Sequence, residues 1–313
     1  MSMQKPVAIV GAGLVGSGWG LVFARAGYPV RLFDPSASVR VGILPWAERS
    51  LRELATAGLV EEPADVLNRL TVSDTLEGAV YDAFYIQESV FETVELKTKV
   101  SLDIDAVMTP NAVVGSSSSG IPASRFTEGC KNRGRFLIAH PVNPPHLVPV
   151  VELVPAPWTD VEAMDVARRL METVGQAAVT LTREIDGFIL NRLQGALLME
   201  AWALYHEGYA SLADIDATIS HGLGLRWSFM GPFETIDLNA PGGIADYAAR
   251  LGPMYAGQVR NPPAGPWDAE TVTRAEAERR AVIGLSDLAG RRDWRDRMLT
   301  KLAAFKRDAG LGV

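Results

Sequence analysis

His140 and Glu152 are the residues of this chain best suited to moving a proton. Only four histidines are present, and His140 closes the apolar run "RFLIAH" (135–140). Glu152 lies inside a second apolar run, "PVVELV" (149–154). Histidine takes up and returns protons near neutral pH. A carboxylate inside an apolar run is costly unless paired; paired with the imidazole, it fixes the ring tautomer and stabilises the charged form. Taken singly, each residue has a plainer reading, as a core histidine bonded to backbone or a glutamate reaching a surface arginine. Between them Pro141, Pro144, Pro145 and Pro149 restrain the backbone beside His140.

The hydride half of an alcohol oxidation needs an acceptor, and the N-terminus supplies a place for one. "GAGLVG" follows the apolar run Val7–Val10 and opens a helical pattern through Leu14, Trp19, Leu21, Val22 and Phe23. Gly11 permits a tight turn, Gly13 lets backbone approach a pyrophosphate, and Gly16 lets the helix pack closely on the strand. The first helical residues, Leu14 and Val15, then offer unpaired N–H groups to phosphate. "YPVRLFD" (28–34) is a second strand ending in Asp34, placed to accept from ribose hydroxyls and to repel a 2′-phosphate. The cofactor expected is NAD and not NADP. His140, at the end of a later strand, then falls on the sheet edge where ligands of open α/β sheets bind.

Further polar groups surround these. "GSSSSG" (115–120) follows a strand and offers hydroxyl donors, or is a flexible polar loop. Asn191 stands in the first turn of an otherwise apolar helix, as a structural amide or a donor to a substrate oxygen. His146, His206 and His221 have no spacing that suggests a metal site.

The elements that carry these residues alternate as strand, helix, strand. A polar helical stretch spans 36–69, broken at Gly58 and Pro63. "AFYIQESV" (83–90), "AVVGSSSS" (112–119), "RFLIAH", "PVVELV" and "AAVTLT" (177–182) read as strands, with helix over 92–106. From Gly187 only helical patterns remain, the longest being "GFILNRLQGALLMEAWALYHEG". The fold expected is α/β: a Rossmann-type NAD-binding domain with a mainly parallel sheet over 1–185, followed by an all-α substrate and dimerisation domain over 186–313. "GQVRNPPAGPW" (257–267) reads as a surface loop.

Bulk properties narrow the partners. A net charge of −7 leaves no basic excess for nucleic acid. Stretch 187–204 is broken by Asn191, Arg192, Gln194 and Glu200 and reads as a buried helix, not a membrane span. A single cysteine, Cys130, fits a reducing cytoplasm. No signal-peptide pattern precedes the first strand.

The glycine turn with Asp34, the serine run, "AHPVNPP", "VVELV" and "GFILNRL" occur in an order that resembles the 3-hydroxyacyl-CoA dehydrogenase family across nearly the whole chain. The resemblance implies a homodimeric NAD-dependent dehydrogenase with His140 as general base and Glu152 as its orienting partner. It implies that Ser119 and Asn191 hold the reacting oxygen, that Asn143 lines the same pocket, and that Glu92 and Lys97 contact NAD near the nicotinamide ribose. "IAHPVNPPHLVPVVELVP", "GLGLRWSFMGPFET" and "RRDWRDRMLTKLAAFK" look most like the branch that oxidises L-gulonate.

Departures from the acyl-CoA branch point the same way. Pro141 and Val142 replace its two aromatics after the histidine. Stretch 36–69 has four arginines, no lysine and five acids, a poor match to a phosphate-rich CoA tail. Arg226 stands where that branch has an apolar and glycine stretch, and would grip a small carboxylate or form a surface ion pair. The expected substrate is therefore a small 3-hydroxy carboxylate. Three alternatives stay open: a 3-hydroxyacyl-CoA; carnitine, with Trp227, Phe229 and Phe233 available to its ammonium; and a non-enzymatic, structural or NADH-binding role.

Overall fold

β1 (Val7–Val10) is buried along its whole length, which is why all four residues are apolar: a parallel strand covered on both faces has no solvent side. The structure, a computed structural model describing residues 5–258 and 269–310, continues through α1 (Leu14–Arg25), β2 (Val30–Phe33), α2 (Ala37–Thr56), α3 (Pro63–Leu67) and β3 (Leu70–Val72). α4 (Leu76–Val80), β4 (Tyr85–Glu88), α5 (Val94–Val107) and β5 (Val113–Ser116) follow, then α6 (Ser124–Thr127), β6 (Phe136–Pro141), β7 (Val150–Pro155), α7 (Val161–Thr173) and β8 (Ala177–Thr180).

These strands make one sheet in the order β3-β2-β1-β4-β5-β6-β7-β8. Every pairing is parallel except β6 with β7. The mainly parallel, Rossmann-type sheet expected from the sequence is present, and its strand order reverses between β1 and β4. Two apolar layers cover it. One joins Trp19, Phe23, Leu51 and Leu54 to Tyr85 and Leu153; the other joins Ile86, Ile104, Val114 and Phe136. The polar 36–69 stretch stays helical because Ile43, Ala47, Leu51 and Leu54 form a buried stripe at helical spacing.

The chain divides into two compact units. One comprises residues through Asn191 together with those from Arg292 onward, and the other comprises 192–291. The sequence reading drew one boundary at 185 and gave the whole remainder to the helical domain; the C-terminal helix α14 (Leu288–Asp308) instead returns, from Arg292, to the sheet unit. Its Leu299 packs against the sheet unit's core, Thr300 is buried, and the Arg307 guanidinium donates to the Gly58 carbonyl.

The second unit holds most of α8 (Leu190–His206), then α9 (Leu212–Thr218), α10 (Gly224–Trp227), α11 (Pro232–Leu238), α12 (Gly243–Gln258) and α13 (Ala269–Val282). A π-helical turn at Ile219–Leu223 joins α9 to α10. Of the loop expected at 257–267, Gly257 and Gln258 are still helical, and the rest lies outside the described residues. Among the described residues no helix is long and apolar enough to cross a membrane, and no group of His, Cys, Asp and Glu is placed to hold a metal ion.

Candidate active site

The β1–α1 turn is shaped by what its glycines exclude. A Cβ on Gly16 would lie 1.9 Å from the Gly11 carbonyl oxygen, and one on Gly11 would lie 2.7 Å from the Ser89 oxygen. Gly13 has nothing within 4 Å of such a position, so its outer face is open to a ligand. No side chain caps α1, and Leu14 is 74% exposed. The first N–H groups of a helix thus face outward without a protein acceptor, which suits a pyrophosphate. Asp34 is fixed at the β2 end: Oδ2 accepts from the Ala12 amide at 3.0 Å and Oδ1 from the Ser36 amide at 2.9 Å. Each carboxylate oxygen keeps a further acceptor position for a ribose hydroxyl. These residues fit NAD. Asp34→Ala is expected to raise the Kd for NADH about tenfold, the loss of roughly one charge-assisted hydrogen bond, with a smaller effect on NADPH. Fluorescence titration with both nucleotides checks this, and equal weakening would remove Asp34 from the choice of cofactor.

His140 and Glu152 face each other directly across the antiparallel β6–β7 pair. Both are buried, and His140 Nδ1 lies 2.8 Å from Glu152 Oε2. A carboxylate only accepts, so Nδ1 carries a proton and donates it, and in the neutral ring Nε2 is then the nitrogen with the lone pair. The other Glu152 oxygen accepts from the Ile189 and Leu190 amides at 2.8 and 2.9 Å. One carboxylate therefore ties the imidazole to the N-terminal turn of α8. Burial acts to raise the Glu152 pKa; the hydrogen bonds from His140, Leu190 and Ile189, with the His140 charge, outweigh it and hold the carboxyl below its ordinary range. Phe188 supports the imidazole from the side. It is fully buried, its ring centroid is 5.6 Å from that of His140, and its φ of +50° is rare for a non-glycine residue.

The four serines separate into different tasks. Ser116 donates to Glu88, and Ser117 bonds Gln87, Ser89 and Trp19. Ser118 donates to Glu92 Oε1 at 2.7 Å. Ser119 alone among them is exposed, and its hydroxyl has no partner among the described residues. Its backbone is held at both ends: the amide donates to Glu92 at 2.8 Å, and the carbonyl accepts from Asn191 Nδ2 at 2.5 Å. The structure thus brings Ser119 and Asn191 together, with Glu92 as the clamp on the serine loop. Burial tends to raise the Glu92 carboxyl, but Ser118, Lys97 and the Gly120 and Ser119 amides keep it low.

Lys97 is fully buried, 3.1 Å from Glu88 and 3.6 Å from Glu92. The resemblance gave both Glu92 and Lys97 contacts to NAD. Glu92 is partly exposed, whereas the enclosed Lys97 ammonium reaches outward only through Glu92. Asn143 is exposed on the turn after His140. Arg226 lies on α10 of the second unit, exposed, where its charge acts on Tyr247, whose hydroxyl meets that of Tyr255 at 2.9 Å. Trp227, Phe229 and Phe233 are exposed on the same unit. Sequence reasoning missed Glu88 and Phe188. An acid inside an apolar strand, the signal that pointed to Glu152, also marks Glu88; nothing in the sequence marks the left-handed backbone of Phe188.

A reversed-order parallel sheet, a bare helix N-terminus with Asp34 beside it, and a histidine–carboxylate pair at the sheet edge define a dinucleotide-dependent dehydrogenase. The comparisons make that class specific. Residues 6–185 match the model for the 3-hydroxyacyl-CoA dehydrogenase NAD binding domain, and 187–264 match that for the C-terminal domain. The chain belongs to the 3-hydroxyacyl-CoA dehydrogenase family, and it is an NAD-dependent dehydrogenase of 3-hydroxy compounds. A lambda-crystallin homolog from Bos taurus is 39% identical over 96% of this chain and 95% of its own. L-carnitine dehydrogenase from Streptomyces coelicolor is 40% identical over 80% of this chain and 78% of its own. Among solved structures, FadB2 of M. tuberculosis is similar, with a TM-score of 0.70 and 29% identity over 89% of this chain and 95% of that one.

Proposed function

We propose that the chain oxidises the 3-hydroxyl of a small hydroxy carboxylate, with an L-gulonate-like sugar acid as substrate and 3-dehydro-L-gulonate as the corresponding product. The observation that carries this reading is the buried His140–Glu152 pair, 2.8 Å apart, on the sheet edge shared with the glycine turn. Bound NAD supplies the hydride acceptor. His140 Nε2 takes the hydroxyl proton as C3 becomes a carbonyl, and Glu152 stabilises the imidazolium that results. The Ser119 hydroxyl and the Asn191 amide hold the reacting oxygen, the support expected where charge develops in a transition state. Asn143 lines the substrate pocket, and Arg226 receives the carboxylate. Gly11, Gly13, Leu14, Val15, Gly16 and Asp34 seat the cofactor, with Glu92 on its ribose side and the buried Lys97 acting there through Glu92. Residues 1–185, joined by α14 from Arg292, act as the NAD-binding domain, and the helical unit over 192–291 as the substrate and dimerisation domain.

The reading extends to assembly and place. Exposed Leu193, Leu197, Phe229 and Phe233 on the helical unit support a homodimer, and the single cysteine supports a cytoplasmic setting. A second substrate, carnitine, is favoured by the relatedness to L-carnitine dehydrogenases. NAD reduction measured with L-gulonate, carnitine, L-3-hydroxybutyrate and 3-hydroxybutyryl-CoA decides. The highest kcat/KM is expected for L-gulonate. A higher value for the thioester or for carnitine would overturn the substrate assignment. NADH binding without turnover of any of the four would place the substrate among other 3-hydroxy compounds.

A further inference from the structure

A cavity of about 410 Å³ lies in the sheet unit, a size suited to a small ligand. Leu14 and Val15 at the start of α1, Trp46 and Ser50 on α2, and Asn143 on the turn after His140 line it. Its last wall is α14, which lies beyond residue 264, where the match to the family's C-terminal domain ends. That wall is docked on the sheet unit by Leu299 and Arg307, so it is held in place beside α2.

The lining has an unusual balance. Arg49, Arg292 and Arg295 contribute three guanidinium groups, and Glu53, Asp293 and Asp296 contribute three carboxylates; of these, Arg295 and Asp296 pair with each other at 2.7 Å. Ser50, Asn143 and Thr300 add uncharged polar groups. His146 also lines the cavity, edge-on to Trp46 with ring centroids 5.5 Å apart. Burial, aided by the Arg25 charge and only partly opposed by Asp296, pushes its pKa down to about 4, so it is neutral near pH 7. Equal charges of both signs do not concentrate an anion or a cation. Leu54, Pro144 and Leu147 complete the lining. A phosphate-rich tail would meet three carboxylates beside the three guanidinium groups, and an acyl chain resting on the apolar side chains would leave the charged groups without hydrogen bonds. Hydroxyl groups both donate and accept, and so can engage guanidinium and carboxylate alike.

We propose that this cavity is the subsite for the hydroxylated, uncharged end of the substrate, and that α14 thereby selects polyhydroxy acids over short or thioester-linked ones. The proposal rests on the dehydrogenase reading above and deepens it: C3 is oxidised at His140 while the polyol end extends past Asn143.

Two variants test it. Ser50→Trp fills the cavity from a half-exposed position on α2. Arg49→Met/Arg292→Met removes two donors that have no hydrogen bond or ion pair among the described residues, so this variant keeps the test open if the tryptophan disturbs folding. In each, kcat/KM for L-gulonate is expected to fall at least about tenfold, the loss of one or two hydrogen bonds, while L-3-hydroxybutyrate turnover and the Kd for NADH change less than about twofold. Equal losses on both acids, no loss on either, or weakened NADH binding would overturn the subsite. If the wild type oxidises neither acid, the assignment of a small hydroxy acid as substrate fails on its own. Calorimetric titration of the NADH-loaded proteins with L-gulonate then decides the subsite: binding by wild type that either variant weakens about tenfold supports it, and no binding or unchanged binding removes it.

Discussion

His140→Asn is expected to lower kcat by about 10²–10⁴-fold, the usual worth of a general base, with the Kd for NADH unchanged. Asparagine is chosen over alanine because its amide can still donate to Glu152, leaving that buried carboxylate partnered. What it lacks is a basic nitrogen in the position of Nε2. Ser119 and Asn191 remain in place to hold the substrate oxygen, so a residual rate above that of the unaided reaction should persist. Steady-state kinetics and fluorescence titration of NADH separate the two effects. A variant with nearly full turnover would show that the proton goes elsewhere.

Glu152→Gln should cost activity on a similar scale while preserving the fold. Both Glu152 oxygens accept hydrogen bonds: one from His140 Nδ1, the other from the Ile189 and Leu190 amides. Glutamine has one acceptor oxygen and one donor group. If the oxygen serves the α8 amides, the NH₂ group faces Nδ1, and the ring moves its proton to Nε2 to accept it. The base is then blocked by its own proton, without any loss of side-chain volume. A drop in kcat of about 10²–10⁴-fold with a near-normal Tm is the expected pattern. Glu152→Ala should instead destabilise the fold, because the His140 Nδ1–H and the Ile189 and Leu190 amides lose their acceptor. At about 1–3 kcal/mol for a buried donor left unsatisfied, the loss shows directly as a lower unfolding midpoint.

The depressed Glu152 carboxyl has a pH consequence of definite sign. Its folded pKa lies below the unfolded one, so its stabilising contribution is complete above the ordinary carboxyl range and is lost as pH falls through the folded value. Glu152→Gln should therefore flatten part of the acid limb of the stability curve. An unchanged acid limb would mean that the carboxylate is not held as the geometry indicates.

Local patterns explain which of these features could be read from the chain. The strand–glycine–helix–acid sequence at 7–34 is contiguous, so its strand, turn and Asp34 were all legible. His140 and Glu152 were legible because polar residues inside apolar runs need a partner, and the two runs proved to be adjacent strands with these residues opposite each other. β3 is three residues long with one side chain exposed, too little for a periodic signal. Separating Ser119 from Ser116, Ser117 and Ser118 required knowing where β5 ends. The return of α14 depends on the docking of Leu299 and Arg307 onto residues far earlier in the chain, which no spacing rule records. Phe188 was hidden for another reason: its role comes from a backbone conformation its side chain does not announce.

The most direct test of the central claim follows the hydrogen itself. L-gulonate carrying deuterium at C3 is incubated with the enzyme and NAD, and the reduced cofactor is examined by mass spectrometry. Hydride transfer from C3 predicts that deuterium is transferred to the NADH formed, and that the His140→Asn variant forms it at least about a hundredfold more slowly. Unlabelled NADH formed at the normal rate, from oxidation at another carbon, would contradict the account.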